Sequence, residues 1–317
     1  YTAHAPATTV ATSGVAGGGS QNFQRGGDIP DDWWTLFHSQ PLDALIARAL
    51  QNNHDLKAAQ AALRAAHEDV LAQRGSFFPA VSAGLNASRE KDPSAALAPV
   101  PSNNAYLYSL FTPQLSISYA PDLFGLNRRT RESLKAQEQA ARFQMIAAWT
   151  TLTSNVVVTA VEGAALREQV DATRKLVDLE KHSLAILQLR FEKGDASKLD
   201  VAAQQSQLAQ TEAGLPALVK QLAATQHALA VLVGAFPDQS SAESFTLADL
   251  HLPESLPVSL PSTLVAQRPD ERQARANLHA ASAAIGIAAA ERLPNIELTA
   301  NAGSTARAIS RVFTTGS

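Results

Sequence analysis

Apolar residues recur at helical spacing along three long stretches of the chain. The first stretch is predicted to start at Ser39 and Pro41, which suit a cap and a first helical turn, and to end near Gly75. Its apolar positions recur every seven residues, as in a coiled-coil seam: Leu42, Ala49, Leu56, Leu63 and Val70. One helix of coiled-coil type is therefore expected there.

The second and third stretches predict a long helical hairpin. Residues 127–193 contain no proline and a single glycine, Gly163, which predicts one helix roughly 100 Å long at ~1.5 Å per residue. Gly194 is expected to stop it, and Ser197 or Asp195 to cap the returning helix. The returning helix has an unbroken heptad, with a kink expected at Pro216: Val201, Leu208, Leu215, Leu222 and Leu229.

Three other segments alternate apolar and polar residues, which predicts strands with one face of each kind. They are residues 77–90, 106–120 and 294–303. The apolar phase changes across Pro113, so a bulge or bend is expected there. Aromatic residues lie near the strand ends: Phe77, Phe78, Tyr106, Tyr108 and Tyr119.

The chain contains an internal duplication. Residues 49–88 return as residues 264–303, matching Asp55 with Asp270, Leu63 with Leu278 and Pro79 with Pro294. The predicted organisation is an extended N-terminal tail (1–38), a first repeat (39–234), an irregular connector (235–261) and a second repeat (262–317). Only the opening of the second copy is present, so an incomplete second repeat is expected.

Composition narrows the possible functions. Apolar residues make up 45% and aromatic residues 6%, which suits long helices packed through small side chains. The net charge of -3 does not favour nucleic-acid binding. Cysteine is absent, the eight histidines follow no ligand spacing, and no nucleophile or phosphate-loop motif occurs. Neither an enzyme nor a cofactor or metal site is therefore predicted.

Arg128, Arg129 and Arg131 form a basic cluster at the start of the long helix. A solvated helix start is the favoured interpretation, and contact with lipid phosphate at a membrane surface is the alternative.

The strands leave two architectures open on patterning alone: a soluble antiparallel hairpin on a helical bundle, or part of an outer-membrane barrel. Three strands separated by long helices cannot close a sheet by themselves, and open edges in lipid leave backbone groups unsatisfied. A barrel would therefore need several copies of the chain.

Four groups of residues carry a resemblance to a known family. They are Trp33–Phe37 with Leu42–Ile46; Ser118–Gly125 with Arg128 and Arg129; Arg190–Gly194 with Ser197 and Leu199–Val201; and Gln267–Asp270 with Ile285 and Gly286. Together they resemble the outer-membrane efflux protein family, the TolC-like channels, and especially its lipoprotein branch.

The resemblance implies a mainly helical fold with membrane strands. Long coiled-coil hairpins would form a periplasmic tunnel, and each chain of a homotrimer would give four strands to a twelve-stranded outer-membrane β-barrel. Such a protein is an exit duct for drugs or other small solutes from the periplasm of a Gram-negative bacterium. Its implied partners are a periplasmic adaptor protein, an inner-membrane RND-type pump and outer-membrane lipid, with no nucleic acid.

The resemblance also implies two sites. The hairpin tip, where adaptors dock, corresponds to Arg190, Gly194, Asp195, Ser197 and Asp200. The strand-to-helix junction corresponds to Pro121, Asp122, Phe124 and Gly125.

Two departures from the family keep alternatives open. The sequence ends at Ser317, before the expected fourth strand and second hairpin, and the lipid-bearing cysteine expected upstream of Tyr1 is not in it. The alternatives are a truncated, non-conducting homologue or a periplasmic coiled-coil adaptor or scaffold.

Overall fold

The structure, a computed structural model, describes residues 8–11, 19–26, 30–91, 107–236, 246–258 and 265–314. Its main helices are α1 (Gln40–Asn52), α2 (His54–Gly75), α3 (Leu126–Glu192), α4 (Lys198–Leu232) and α5 (Pro269–Glu291). The strands are β1 (Asn22–Arg25), β2 (Ala80–Lys91), β3 (Leu107–Tyr119), β4 (Ser255–Val258) and β5 (Leu298–Gly303).

The contacts divide the chain into two compact units. The first combines residues 1–63 with 141–273, and the second combines residues 64–140 with 274–317. The boundaries predicted from the duplication, 1–38, 39–234, 235–261 and 262–317, follow the sequence repeat and stay a prediction.

The first unit has a hydrophobic core built from helices. Leu42 and Ile46 of α1 pack against Val156 and Ala160 of α3, all of them buried. Trp34, in a 3-10 helix spanning Trp33–Phe37, closes this cluster with its ring centroid 5.4 Å from that of Trp149. Of the predicted seam residues, Leu42, Ala49, Leu56 and Val70 are buried, and Leu63 is half-buried.

The prediction of one helix from Ser39 to Gly75 is wrong, because the helix breaks at Asn53. The Asn53 side-chain oxygen accepts a hydrogen bond from the Leu56 N–H at 2.9 Å and so caps α2. Its amide group donates to the Leu232 carbonyl at 3.1 Å, at the end of α4. The break is held by a remote partner, which the local heptad pattern does not reveal.

The predicted hairpin is confirmed: α3 is one helix of 67 residues, and α4 returns from Lys198. Leu166, Val170 and Val177 of α3 are buried, whereas Phe191, at the end of the helix, is exposed. α4 runs through Pro216 without interruption, and a kink at that residue stays a prediction.

The second unit contains an antiparallel sheet with the order β2–β3–β5. β2 and β5 start later than predicted, at Ala80 and Leu298 rather than at 77 and 294. The reason is that β3 ends at Tyr119: Ser118 pairs with Ala80 and Tyr119 with Leu298, so the preceding residues have no strand to pair with. Tyr106 lies outside the described residues.

Of the bulge or bend predicted at Pro113, the bulge is wrong and the bend stays a prediction. The β2–β3 register is continuous from Ala80↔Ser118 to Lys91↔Leu107, with Leu85 opposite Pro113 and no extra residue. Pro113 has no N–H to donate, but its carbonyl accepts from the Ser304 N–H at 3.3 Å. The missing N–H of Pro113 does not interrupt the pairing of β2 with β3. The change in apolar phase at this residue therefore places apolar side chains on the other face of the sheet.

The connector predicted to be irregular, 235–261, contains ordered elements: a short 3-10 helix, Leu247–Asp249, and β4. β4 pairs in parallel with β1 of the predicted extended tail, in the register Asn22↔Ser255 to Arg25↔Val258. Each strand has only four residues, too few for a recognisable alternation, and a parallel partner is remote in sequence.

Candidate functional site

The turn after α3 is built by two local motifs. Gly194 has φ +85°, its N–H donates to the Phe191 carbonyl at 3.0 Å, and the Asp195 N–H donates to the Arg190 carbonyl at 2.8 Å. This pair of bonds is a Schellman motif, which satisfies the last carbonyls of α3. Glycine is suited to Gly194 because the left-handed conformation strains residues with a Cβ.

Ser197 and Asp200 then start α4 with a capping box. The Asp200 N–H donates to Ser197 Oγ at 3.1 Å, and the Ser197 N–H donates to Asp200 Oδ2 at 2.9 Å. The hydroxyl of Ser197 also donates to the same carboxylate oxygen at 2.8 Å. These bonds from Ser197, assisted by the charge of Arg190, lower the pKa of Asp200 below its usual range.

The structure therefore brings together the residues predicted for the tip. Arg190, Gly194, Asp195, Ser197 and Asp200 are all exposed. Leu199 lies among them with 77% of its surface exposed. The turn is held by its own hydrogen bonds, and its side chains are open to solvent.

The strand-to-helix junction, in the second unit, is organised by Asp122. Its carboxylate accepts the N–H groups of Asn127 and Arg128, each at 3.0 Å, and the guanidinium of Arg128 at 3.1 Å. A carboxylate at this position caps the first turn of α3 and compensates the positive helix end. Asp122 is the anchor among the predicted junction residues.

The other junction residues shape the backbone. Gly125 has φ +82°, and its carbonyl accepts the Arg129 N–H at 2.9 Å, so it occupies the N-cap position of α3. The Pro121 carbonyl accepts the Leu123 N–H at 2.8 Å. Phe124 is exposed, so the tight turn presents an aromatic side chain outward.

A cavity of about 600 Å³ lies beside the junction. It is lined by Phe77, Arg128, Arg131, Glu132, Lys135 and His279, among others. Lys135 was not singled out from the sequence, although the spacing of Arg128, Arg131 and Lys135 (i, i+3, i+7) places all three on one helix face.

Arg129 points away from the other cations of this cluster. Its guanidinium donates to Glu132 Oε2 at 2.7 Å, and a Cβ added to Gly286 of α5 would lie 3.0 Å from the Arg129 side chain. The hydrogen bond from Arg129, with one shared with His279, lowers the pKa of Glu132. A residue larger than glycine at position 286 would therefore require the Arg129 side chain to shift by a few tenths of an ångström.

Among the described residues, no group of three or more His, Asp or Glu side chains is arranged to hold a metal ion. In the same part of the chain, no helix has both the length and the apolar character that spanning a membrane requires.

Comparison with known proteins identifies the family. A profile of the outer membrane efflux protein family matches residues 45–235. A pyoverdine export outer membrane protein of Pseudomonas putida, OpmQ, is 32% identical over 313 residues, which cover 96% of this chain and 65% of the relative. The chain belongs to the outer membrane efflux protein family. It is a family of channel and transport proteins, not of enzymes.

Further relatives and solved structures agree with this assignment. The toluene efflux pump outer membrane protein TtgF of P. putida is 30% identical and is matched over 92% of this chain and 59% of its own length. The outer-membrane channel OprN superposes with a TM-score of 0.78 at 27% identity, covering 90% of this chain and 63% of OprN. The Campylobacter jejuni CmeC outer membrane channel, 21% identical, gives a TM-score of 0.82 with 97% and 64% coverage.

The fold class predicted from the sequence is thereby confirmed: long helical hairpins with strands, as in the TolC-like channels. The chain spans 58–65% of the length of the curated relatives described for it.

Proposed function

We propose that this protein is the outer-membrane channel component of a tripartite efflux pump in a Gram-negative bacterium. Its strands form part of a β-barrel closed by other copies in a homotrimer, and its helices form part of a periplasmic tunnel. The observation that carries the proposal is the β2–β3–β5 sheet, in which β2 and β5 are almost entirely exposed and apolar rows alternate with polar rows from Val81 to Leu85.

The register supports this assignment because it aligns apolar residues across all three strands. Val81, Ile117 and Ala300 form one such row, and the next row is Ala83, Leu115 and Ala302. The rows between them are polar, for example Ser82, Ser116 and Asn301. An exposed apolar face suits contact with lipid, and a polar face suits a water-filled lumen.

The edges of the sheet support closure by other chains. Within the described residues, β2 and β5 each pair on one side only. Each unpaired backbone group in lipid costs several kcal/mol, so a membrane sheet with two open edges needs further strands. A trimer supplies them, and outer-membrane lipid covers the apolar face.

A charge placed on either face of β2 tests the barrel. Leu85→Arg puts a cation on the apolar face, while Asn86→Arg, its matched control, puts the same cation on the polar face. Arginine in the lipid-facing part of a barrel costs about 2–4 kcal/mol. We expect Leu85→Arg to reduce the trimer recovered from outer membranes and Asn86→Arg to leave it unchanged. Equal recovery of both variants, with extraction that needs no detergent, would favour the periplasmic scaffold instead.

We also propose that the turn between α3 and α4 docks a periplasmic adaptor protein that links the channel to an inner-membrane RND-type pump. The support is a rigid turn with exposed polar residues, Arg190, Asp195 and Asp200, beside the exposed Leu199. A rigid exposed surface loses little conformational entropy when it binds.

Asp195→Trp tests docking better than a change at Ser197, because Ser197 caps α4 whereas Asp195 contributes its backbone N–H to the turn. We expect loss of solute export and of crosslinking to the adaptor, with trimer and membrane insertion intact. Ser206→Trp, at an exposed site of α4, is the control for bulk. Unchanged export by Asp195→Trp would contradict docking at this turn.

The proposed cargo is small solutes, delivered by the pump. The relatives are named for compounds as unlike as pyoverdine and toluene. We infer that this chain is an exit duct and that the partner pump selects what enters it.

A further inference from the structure

The cavity beside the start of α3 contains positive charge that the described part of the chain does not neutralise. Arg128, Arg131 and Lys135 line it from one face of α3, Phe77 lines it from the segment before β2, and His279 lines it from α5. All of these residues belong to the second compact unit, together with the three-stranded sheet.

Two of the three cations are unpaired. Arg128 is matched by Asp122 at 3.1 Å. Among the residues that the structure describes, Arg131 and Lys135 have neither a hydrogen-bond nor an ion-pair partner, and Arg131 Nε is buried. A buried donor without a partner is costly, so an external acceptor at this position would be favourable.

The acidic residue on the same wall does not cancel this charge. Glu132 is held by Arg129, whose guanidinium donates to Oε2 at 2.7 Å, and by His279, whose Nε2 lies 3.0 Å from Oε1. Arg129 neutralises Glu132, which leaves Arg131 and Lys135 as the net charge of the cavity.

We propose that Arg131 and Lys135 bind the phosphate group of a phospholipid in this cavity. An arginine donates through several N–H groups in a fixed geometry that matches phosphate oxygens, and a lysine adds a point charge. Phe77 supplies an apolar wall beside the headgroup. The cavity volume of about 600 Å³ is within the usual range for small-ligand sites and has room for a headgroup.

The position in the fold favours a lipid over a free anion as the source of the phosphate. Phe77 precedes β2 and Arg128 follows β3 at the end of the sheet where Ala80 pairs with Ser118. Phe78, Leu123 and Phe124, close to this end of the sheet, are exposed. This step rests on the proposed function: if the strands lie in the outer membrane, this end of the sheet is at headgroup level, where basic side chains contact lipid phosphate.

The test measures lipid bound to the detergent-purified protein by native mass spectrometry. Phosphatidylglycerol is compared with diacylglycerol of the same acyl chains, which lacks the phosphate, and inorganic phosphate is added as a competitor. The variant is Arg131→Gln with Lys135→Gln. The control is Arg142→Gln with Lys175→Gln, which removes two exposed cations of α3 that do not line the cavity.

We expect the protein to retain phosphatidylglycerol over diacylglycerol and the cavity variant to lose this lipid about tenfold or more, while the control retains it. If the protein showed no preference for phosphatidylglycerol over diacylglycerol and millimolar inorganic phosphate competed for the cavity, the ligand would be free phosphate and not a lipid. Equal lipid retention by the cavity variant and the control would overturn the proposal. The proposal would also be overturned if the unaltered protein bound no lipid and only the cavity variant lost its trimer. In that case the cations would contact a neighbouring subunit instead of a lipid.

A failure of lipid binding in the cavity can be distinguished from a failure of the proposed channel function. Trimer formation and outer-membrane assembly are measured on the same samples, and a failure of assembly in the unaltered protein would count against the channel rather than against the cavity.

Discussion

The helical cluster around Leu42 and the three-stranded sheet contain apolar side chains of similar size, but only the cluster buries them. Leu42 is 0% exposed and Val156 also 0%, whereas Leu85 is 62% and Val81 63% exposed. The cluster draws its neighbours from α1, α3 and α4 of the same chain. Within the described residues, the sheet has no comparable cluster of buried apolar side chains, and Val81, Leu85 and Leu115 stay exposed.

This difference separates two sources of stability. Burial of apolar surface within the chain stabilises the helical cluster in any solvent. The described strands have their backbone pairing within the chain, but much of their apolar side-chain surface stays exposed. In the proposed barrel, lipid or detergent covers that surface. Matched substitutions in the two regions test whether their stabilities differ in this way.

The largest effect is expected from shortening a core side chain. Leu42→Ala should lower the free energy of unfolding by about 2–5 kcal/mol, because it leaves a cavity among packed helices. Leu85→Ala, in the sheet, should cost only about 1 kcal/mol, since most of that side chain is already exposed. Denaturant unfolding in detergent measures both. Similar losses would show that the sheet is packed as tightly as the core, against this comparison.

The next largest effect is expected from alanine at one of two glycines, Gly234 and Gly194. Both follow a helix and have the left-handed backbone conformation. Gly234, after α4, has φ +70°, and an added Cβ would lie 2.6 Å from the Asn52 carbonyl oxygen. Gly194, after α3, has φ +85°, but an added Cβ would have no atom within 4 Å.

Alanine at either glycine costs about 1–2 kcal/mol of left-handed strain, and Gly234→Ala adds about 1–3 kcal/mol for the overlap. We expect the midpoint of thermal unfolding to fall further for Gly234→Ala than for Gly194→Ala. The reverse order would mean that the exposed turn is more constrained than the packed helix end.

The smallest effect is expected on the pH dependence of the stability of the exposed turn between α3 and α4. Because the pKa of Asp200 is lowered in the folded chain, its contribution to stability is fully present above the unfolded pKa, about 3.9. It is lost as the pH falls through the folded value. We expect Asp200→Asn to remove this acid dependence locally, with faster amide exchange at Ser197, whose N–H donates to the carboxylate.

Asp195→Asn is the matched control for Asp200, because it changes an exposed acid of the same turn that caps no helix. Amide exchange at Ser197 that stays equally slow in the Asp200→Asn variant would show that the capping box does not hold the turn.

The duplication shows how much of the fold the sequence predicted. α2 begins at His54 and α5 at Pro269, positions that the repeat aligns, so the two copies share the same helix start. The repeat did not show how each helix begins. Asn53 caps α2 with its side chain, whereas the aligned Arg268 pairs with Asp270 at 2.6 Å and Pro269 occupies the first turn of α5.

The two candidate sites also differ in how far the sequence predicted them. The hairpin turn was predictable because a Schellman glycine and a capping box are local motifs, complete within Arg190–Asp200. The cavity at Arg131 and Lys135 was not, since it also needs Phe77 and His279 from remote segments. Sequence spacing placed the cations on one face but could not show which were already paired.

The sequence by itself determined the helices, the hairpin turn and the two-faced strands, because each depends on interactions between residues close along the chain. The tertiary structure decided the break at Asn53, the β1–β4 pairing, the unbroken register at Pro113 and the unpaired charge beside the junction. Each of these depends on a partner far away in sequence, such as Leu232 for Asn53 or Ser304 for Pro113, and a local pattern contains no information about that partner.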